Sequence, residues 1–68
     1  MNTNYVIILD YSVGEVIKIK LNKEQIKESE KYDDFESYLE TLEDDYDFRL
    51  KDCLWMVCEN LTERSFGF

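Results

Sequence analysis

The chain has no histidine and no proline, glycine only at positions 14 and 67, and 8 basic residues against 16 acidic ones in 68. Each shortage closes a class of function. Without histidine, neither Cys53 nor Cys58 has the base that usually activates a cysteine nucleophile, and two cysteines alone do not complete the tetrahedral ligand set of a zinc site. Two isolated glycines make no phosphate-cradling loop. The stretch DYDFR, Asp45 to Arg49, places acids at the first and third positions of a calcium loop, but Arg49 stands at the fifth and no glycine follows at the sixth. A net charge of −8 is repelled by nucleic acid and by anionic membranes. No apolar run is long enough to span a bilayer, and the N-terminus does not resemble a signal peptide. The expectation is a cytoplasmic, non-catalytic protein with no cofactor, no metal and no direct nucleic-acid or membrane contact. In that setting the sequon NLT at Asn60 to Thr62 is a chance match.

What is present is a single small domain with a marginal core, a size at which self-association becomes a standing expectation. Residues 4–21 read as a hairpin. Ser12, Val13 and Gly14 supply a three-residue loop, with the glycine in the left-handed conformation. That loop sets Tyr11 opposite Glu15, Leu9 opposite Ile17, Ile7 opposite Ile19 and Tyr5 opposite Leu21, which gathers one apolar face and leaves Val6 and Ile8 on the other with Val16, Lys18 and Lys20.

A helical region, residues 22–46, follows. Asn22 and Gln25 form a capping box with Leu21 stapled to Ile26, and KESEK at 27–31 reads as a frayed helix or ordered loop. Phe35, Tyr38, Leu39, Leu42 and Tyr46 then fall on one stripe of a main helix, capped by Asp33 with Glu36 three residues on. A last strand spans 53–59 and a tail 60–68. Its cysteines would lie about 16 Å apart along an extended strand, too far for a disulfide.

The expected fold is α+β: ββαβ, a three-stranded antiparallel sheet in the order 2-1-3, with one main helix packed on one face. A right-handed crossover gives that order, and Lys18 and Lys20 mark the second strand as an edge. The opposite sheet face stays open, lined by Val6 and Ile8 and by either Leu54 with Met56 or Trp55 with Val57. A small core's need for its largest side chain turns Trp55 toward the helix and Met56 outward. Val6, Ile8 and Met56 are then the candidate self-association residues of a homodimer.

Residues 28 to 47 hold ten acids and one base, Lys31. Glu43, Asp44, Asp45 and Asp47 crowd the expected end of the main helix, where each costs about 0.3–1 kcal/mol against the helix dipole. A local rule broken without structural gain points to function, and a solvated face that keeps the protein soluble is the bland alternative. Glu36, Glu40, Glu43, Asp44, Asp45 and Asp47 are therefore the candidate partner-binding face, presented to a basic surface of another protein. YVIILDYSVGEV with the late CLWMVCE resembles a loose group of short uncharacterised bacterial and phage-type small acidic proteins, in which an apolar strand, a D-Y-x-x-G-E turn and a W-M-V strand recur. The resemblance carries no activity, cofactor or site residue with it. Such a face suits a nucleic-acid mimic of the anti-CRISPR or anti-restriction kind, and the alternative is a structural homodimer whose acids only solubilise it.

Overall fold

Two strands of β-branched and aliphatic residues open the chain, β1 at Tyr5–Asp10 and β2 at Glu15–Lys20. Both belong to a computed structural model that describes residues 4–68. Helices α1 (Lys23–Ser29), α2 (Phe35–Glu40) and α3 (Glu43–Tyr46) follow, then a 3-10 turn at Leu50–Asp52 and β3 at Cys53–Cys58. The strands form one antiparallel sheet in the order β2-β1-β3, so the α+β fold and its strand order are those the sequence implies.

The hairpin corrects the expected register. Asp10 stands opposite Glu15, Ile8 opposite Ile17 and Val6 opposite Ile19, so the loop is the four residues Tyr11 to Gly14. Its local chemistry explains the extra residue. The Asp10 carboxylate accepts hydrogen bonds from the backbone N–H and the hydroxyl of Ser12, and Gly14, at φ 71°, donates its N–H to the Asp10 carbonyl at 2.9 Å. One residue more in the loop moves the opposite face of β1 into the core. Val6 and Ile8 are fully buried, not on the open face, and Leu9 is 45% exposed.

They pack with Ile19, Leu21, Tyr38, Leu39, Leu42, Phe48, Leu50 and Cys53. Trp55 and Val57 face the same core, and Trp55 lies 6.1 Å from the Phe35 ring. Met56 points outward and is half-exposed.

The helical region also departs from the expected single helix. Asn22 and Gln25 do form the capping box of α1, which runs through Ser29. The cap of α2 is Asp34, one residue later than expected, accepting from the Ser37 N–H at 2.7 Å. At Thr41 and Leu42 the chain tightens: both N–H groups bond three residues back, to the carbonyls of Tyr38 and Leu39, and the Thr41 hydroxyl also bonds the Tyr38 carbonyl. β-Branched Thr41 weakens the helix there, and α3 starts again at Glu43. Tyr46, placed on the buried stripe by its spacing, is instead exposed and accepts from Gln25 at 3.2 Å.

On the outer sheet face Ile7 is nearly buried although its neighbours Lys18 and Met56 are exposed. Glu63 of the tail reaches Lys18 at 2.8 Å, from β3 across to β2, and so brings the tail back over this face. Phe66 and Phe68 remain exposed. Among the described residues no helix is long and apolar enough to cross a membrane.

Candidate functional site

Helix α2 buries Tyr38 and Leu39 and so turns Glu36 and Glu40, four residues apart, outward. The break at Thr41 then directs Glu43 and Asp44 into the same region, and Asp47 takes the left-handed cap of α3 at φ 56°. After Asp47 the chain inserts Phe48 and Leu50 into the core. These elements border an open groove of ≈ 850 Å³, closed on its far side by Asp10 and Ser12 of the hairpin and by Arg49, Lys51 and Asp52 of the 3-10 segment.

Five of the six expected acids line this groove: Glu36, Glu40, Glu43, Asp44 and Asp47. Asp45 does not. It lies at a smaller depression of ≈ 350 Å³ beside α1, with Glu24, Gln25, Glu28, Tyr38, Thr41 and Leu42. Two acids that sequence reasoning missed, Asp10 and Asp52, join the groove. The Asp-x-Ser spacing before Gly14 was the available signal for Asp10, because it is the pattern of a side-chain-closed turn. Phe48 and Leu50 were missed as core residues, and their alternation with Asp47, Arg49 and Lys51 was the signal there.

The acids do different work. The Glu43 carboxylate accepts the Leu50 N–H at 2.7 Å, and the Glu43 carbonyl accepts from Phe48, so this residue fastens the segment that fills the core. Glu36, Glu40, Asp44 and Asp47 are exposed and make no side-chain hydrogen bond among the described residues. The ion pairs found there are Lys18 with Glu63 and Lys31 with Glu28, so among the described residues no groove carboxylate is in direct contact with a cation, although Arg49 and Lys51 border the same groove. Glu43, Asp44 and Asp45 occupy the first turn of α3, where negative charge is favourable. The helix break therefore removes the expected dipole conflict for these three and leaves it only at Asp47, the C-terminal cap of α3.

No family model matches the chain, and neither a curated protein nor a solved structure matches it. Its own chemistry has to carry the functional reading. Among the described residues no group of three or more His, Cys, Asp or Glu side chains is placed to hold a metal ion. Cys53, at the edge of the groove's elements, is buried and donates to the Arg49 carbonyl at 3.1 Å. Burial, reinforced by the negative charges of Asp10 and Asp52, pushes its thiol pKa above the ordinary value, the opposite of nucleophile activation. At the far end of α2, hydrogen bonds from Ser37 hold the Asp34 carboxyl below its usual pKa, which is the chemistry of a helix cap.

Proposed function

We propose that this protein is a non-catalytic binding module, cytoplasmic in setting, that presents the α2–α3 groove to a basic surface of another protein. The observation that carries the reading is the set of exposed carboxylates Glu36, Glu40, Asp44 and Asp47 on one concave surface, where they outnumber the bordering cations Arg49 and Lys51 and, among the described residues, form no ion pair. Desolvating unpaired like charges is costly unless a partner supplies the counter-charge, and complementary fields accelerate encounter. Basic grooves of this kind are common on enzymes that hold nucleic acid. In its sharper form the protein is a nucleic-acid mimic, acting as an inhibitor in the manner of small acidic anti-CRISPR and anti-restriction proteins from phage.

The test reverses Glu36, Glu40, Asp44 and Asp47 to lysine and leaves Glu43 intact because it is bonded to Leu50. Wild type immobilised as bait in extract of its native cell should retain a basic nucleic-acid-binding protein. Duplex DNA or added salt should release that protein, since exposed charges are screened over about 10 Å at 0.1 M. The reversed variant, with an unchanged far-UV spectrum, should not retain it. Equal retention by both proteins rejects the reading.

A further inference from the structure

The two edges of the sheet are built differently. Edge strand β2 carries Lys18 and Lys20 on its outer face, a usual protection against strand addition. Edge strand β3, CLWMVC, has no charge, no proline and no bulge in its pairing with β1. Which of its backbone groups face outward follows from the ladder. Asp10 accepts from Gly14, and the Asn4 carbonyl, just before the strand, accepts from Leu21 while its N–H turns to the Cys58 carbonyl of β3, so within β1 the even-numbered residues Val6, Ile8 and Asp10 address β2. Tyr5, Ile7 and Leu9 then address Cys58, Met56 and Leu54 of β3. The Cys53 N–H agrees with this, since it turns away from β1 to the Leu50 carbonyl. Trp55 and Val57 therefore direct their N–H and C=O groups off the free edge, and among the described residues nothing pairs with them.

We infer that this edge pairs with β3 of a second copy of the same chain, antiparallel, about a two-fold axis at Trp55. The sequence around Trp55 is self-complementary in that register. Leu54 falls beside the partner's Met56, and Cys53 beside the partner's Val57. Lys51, in the 3-10 turn that leads into the strand and on the border of the groove, is carried to the same end of the new ladder as the partner's Glu59, just after its strand, at both ends, and both residues are exposed. The Trp55 N–H and C=O bond their two-fold mates reciprocally. The Val57 N–H reaches the partner's Cys53 carbonyl, while the Cys53 N–H keeps its bond to Leu50. A two-fold centred one residue later, at Met56, loses the Lys51–Glu59 match and sets Cys53 against Glu59.

Charge also selects the antiparallel sense. The acidic groove lies at the Asp10 and Cys53 end of the sheet. Antiparallel pairing sends the two grooves to opposite ends of a continuous sheet, whereas parallel pairing would bring two strongly negative surfaces together.

The experiment is sedimentation equilibrium of the full chain across a wide concentration range, with the emission of Trp55, the single tryptophan, as a second readout. Wild type should dimerise reversibly, with a Trp55 signal that follows the mass. Val57→Pro removes an N–H with no partner inside the monomer, so it should stay folded and become monomeric. Lys51→Glu and Glu59→Lys, both at exposed sites, should each weaken the dimer roughly tenfold, and the double exchange should restore it. Strictly monomeric wild type at millimolar concentration overturns the inference. So does a folded Val57→Pro variant that still dimerises, or single charge exchanges without effect, and a dimer that another protein's extended peptide displaces from β3 supports it.

Discussion

Replacing Glu43 by alanine separates an acid that builds the fold from acids that only face solvent. The Leu50 N–H that Glu43 accepts is part-buried, and Leu50 itself is 6% exposed. Removing the acceptor leaves that donor without a partner and frees the segment that carries Phe48 and Leu50 inward. A hydrogen bond to a charged group contributes about 1.5–3 kcal/mol. In a domain of this size each kcal/mol moves the melting temperature by roughly 4–8 °C, so Glu43→Ala should melt roughly 6–24 °C lower than wild type. Glu43→Gln keeps a neutral acceptor and should lose about half as much stability.

Glu36→Ala, Glu40→Ala and Asp44→Ala are the controls. Each removes one negative charge from the same groove and should stay within about 0.5 kcal/mol of wild type. Relief of charge repulsion is common to all four variants, so their difference isolates the hydrogen bond. Thermal unfolding followed by circular dichroism at neutral pH and low protein concentration gives the comparison. If Glu43→Ala melts with the three controls, the Leu50 N–H has another partner and the division of roles is wrong.

The hairpin register makes a sharp contrast between neighbours. Ile8→Ala, at a fully buried side chain, should cost about 2–5 kcal/mol in denaturant unfolding, and Leu9→Ala, at a half-exposed one, clearly less; the reverse order would reject the four-residue loop. The cysteines offer a second check on orientation, since Cys53 faces the core with a raised thiol pKa and Cys58 lies on the outer face. Without reductant, Cys58 should alkylate well before Cys53 and both should react after unfolding, whereas equal native rates or an internal disulfide would contradict the strand.

The strand order was legible because Lys18 and Lys20 could only belong to an edge and β1 could only be central. The capping box at Asn22 and Gln25 was legible for a similar reason: two side chains three apart satisfy each other's backbone donors with no help from the rest of the chain. The face of β1 was not legible. Tyr5, Ile7 and Leu9 are as apolar as Val6 and Ile8, so alternation within the strand carries no preference, and one residue of loop length decided it. That decision rests on the Asp10 side chain closing the turn onto Ser12. The helix break was hidden because the apolar spacing from Phe35 to Leu42 runs straight through Thr41, and the hydrogen bond that weakens the helix there is local to one hydroxyl.

The same break decides how the site is built. Five of the expected acids converge because α2 and α3 are separate, and Asp45 is turned to the other side by the same geometry. A continuous helix would have strung these residues along one rod, with its terminal acids opposing its own dipole. Two short helices instead place them around a concavity and against the hairpin, where Asp10 and Asp52 add to the field. If β3 pairs as inferred, the two-fold stands perpendicular to the sheet, since residues of like parity meet across the new edge. Both grooves then open on the helix-covered side of one continuous sheet, at its two ends. A basic partner long enough to span them would meet two acidic sites held at fixed separation, and binding at the second would be favoured by the first without any added contact. The acidic groove and the uncharged edge, which look unrelated along the chain, would then serve one surface.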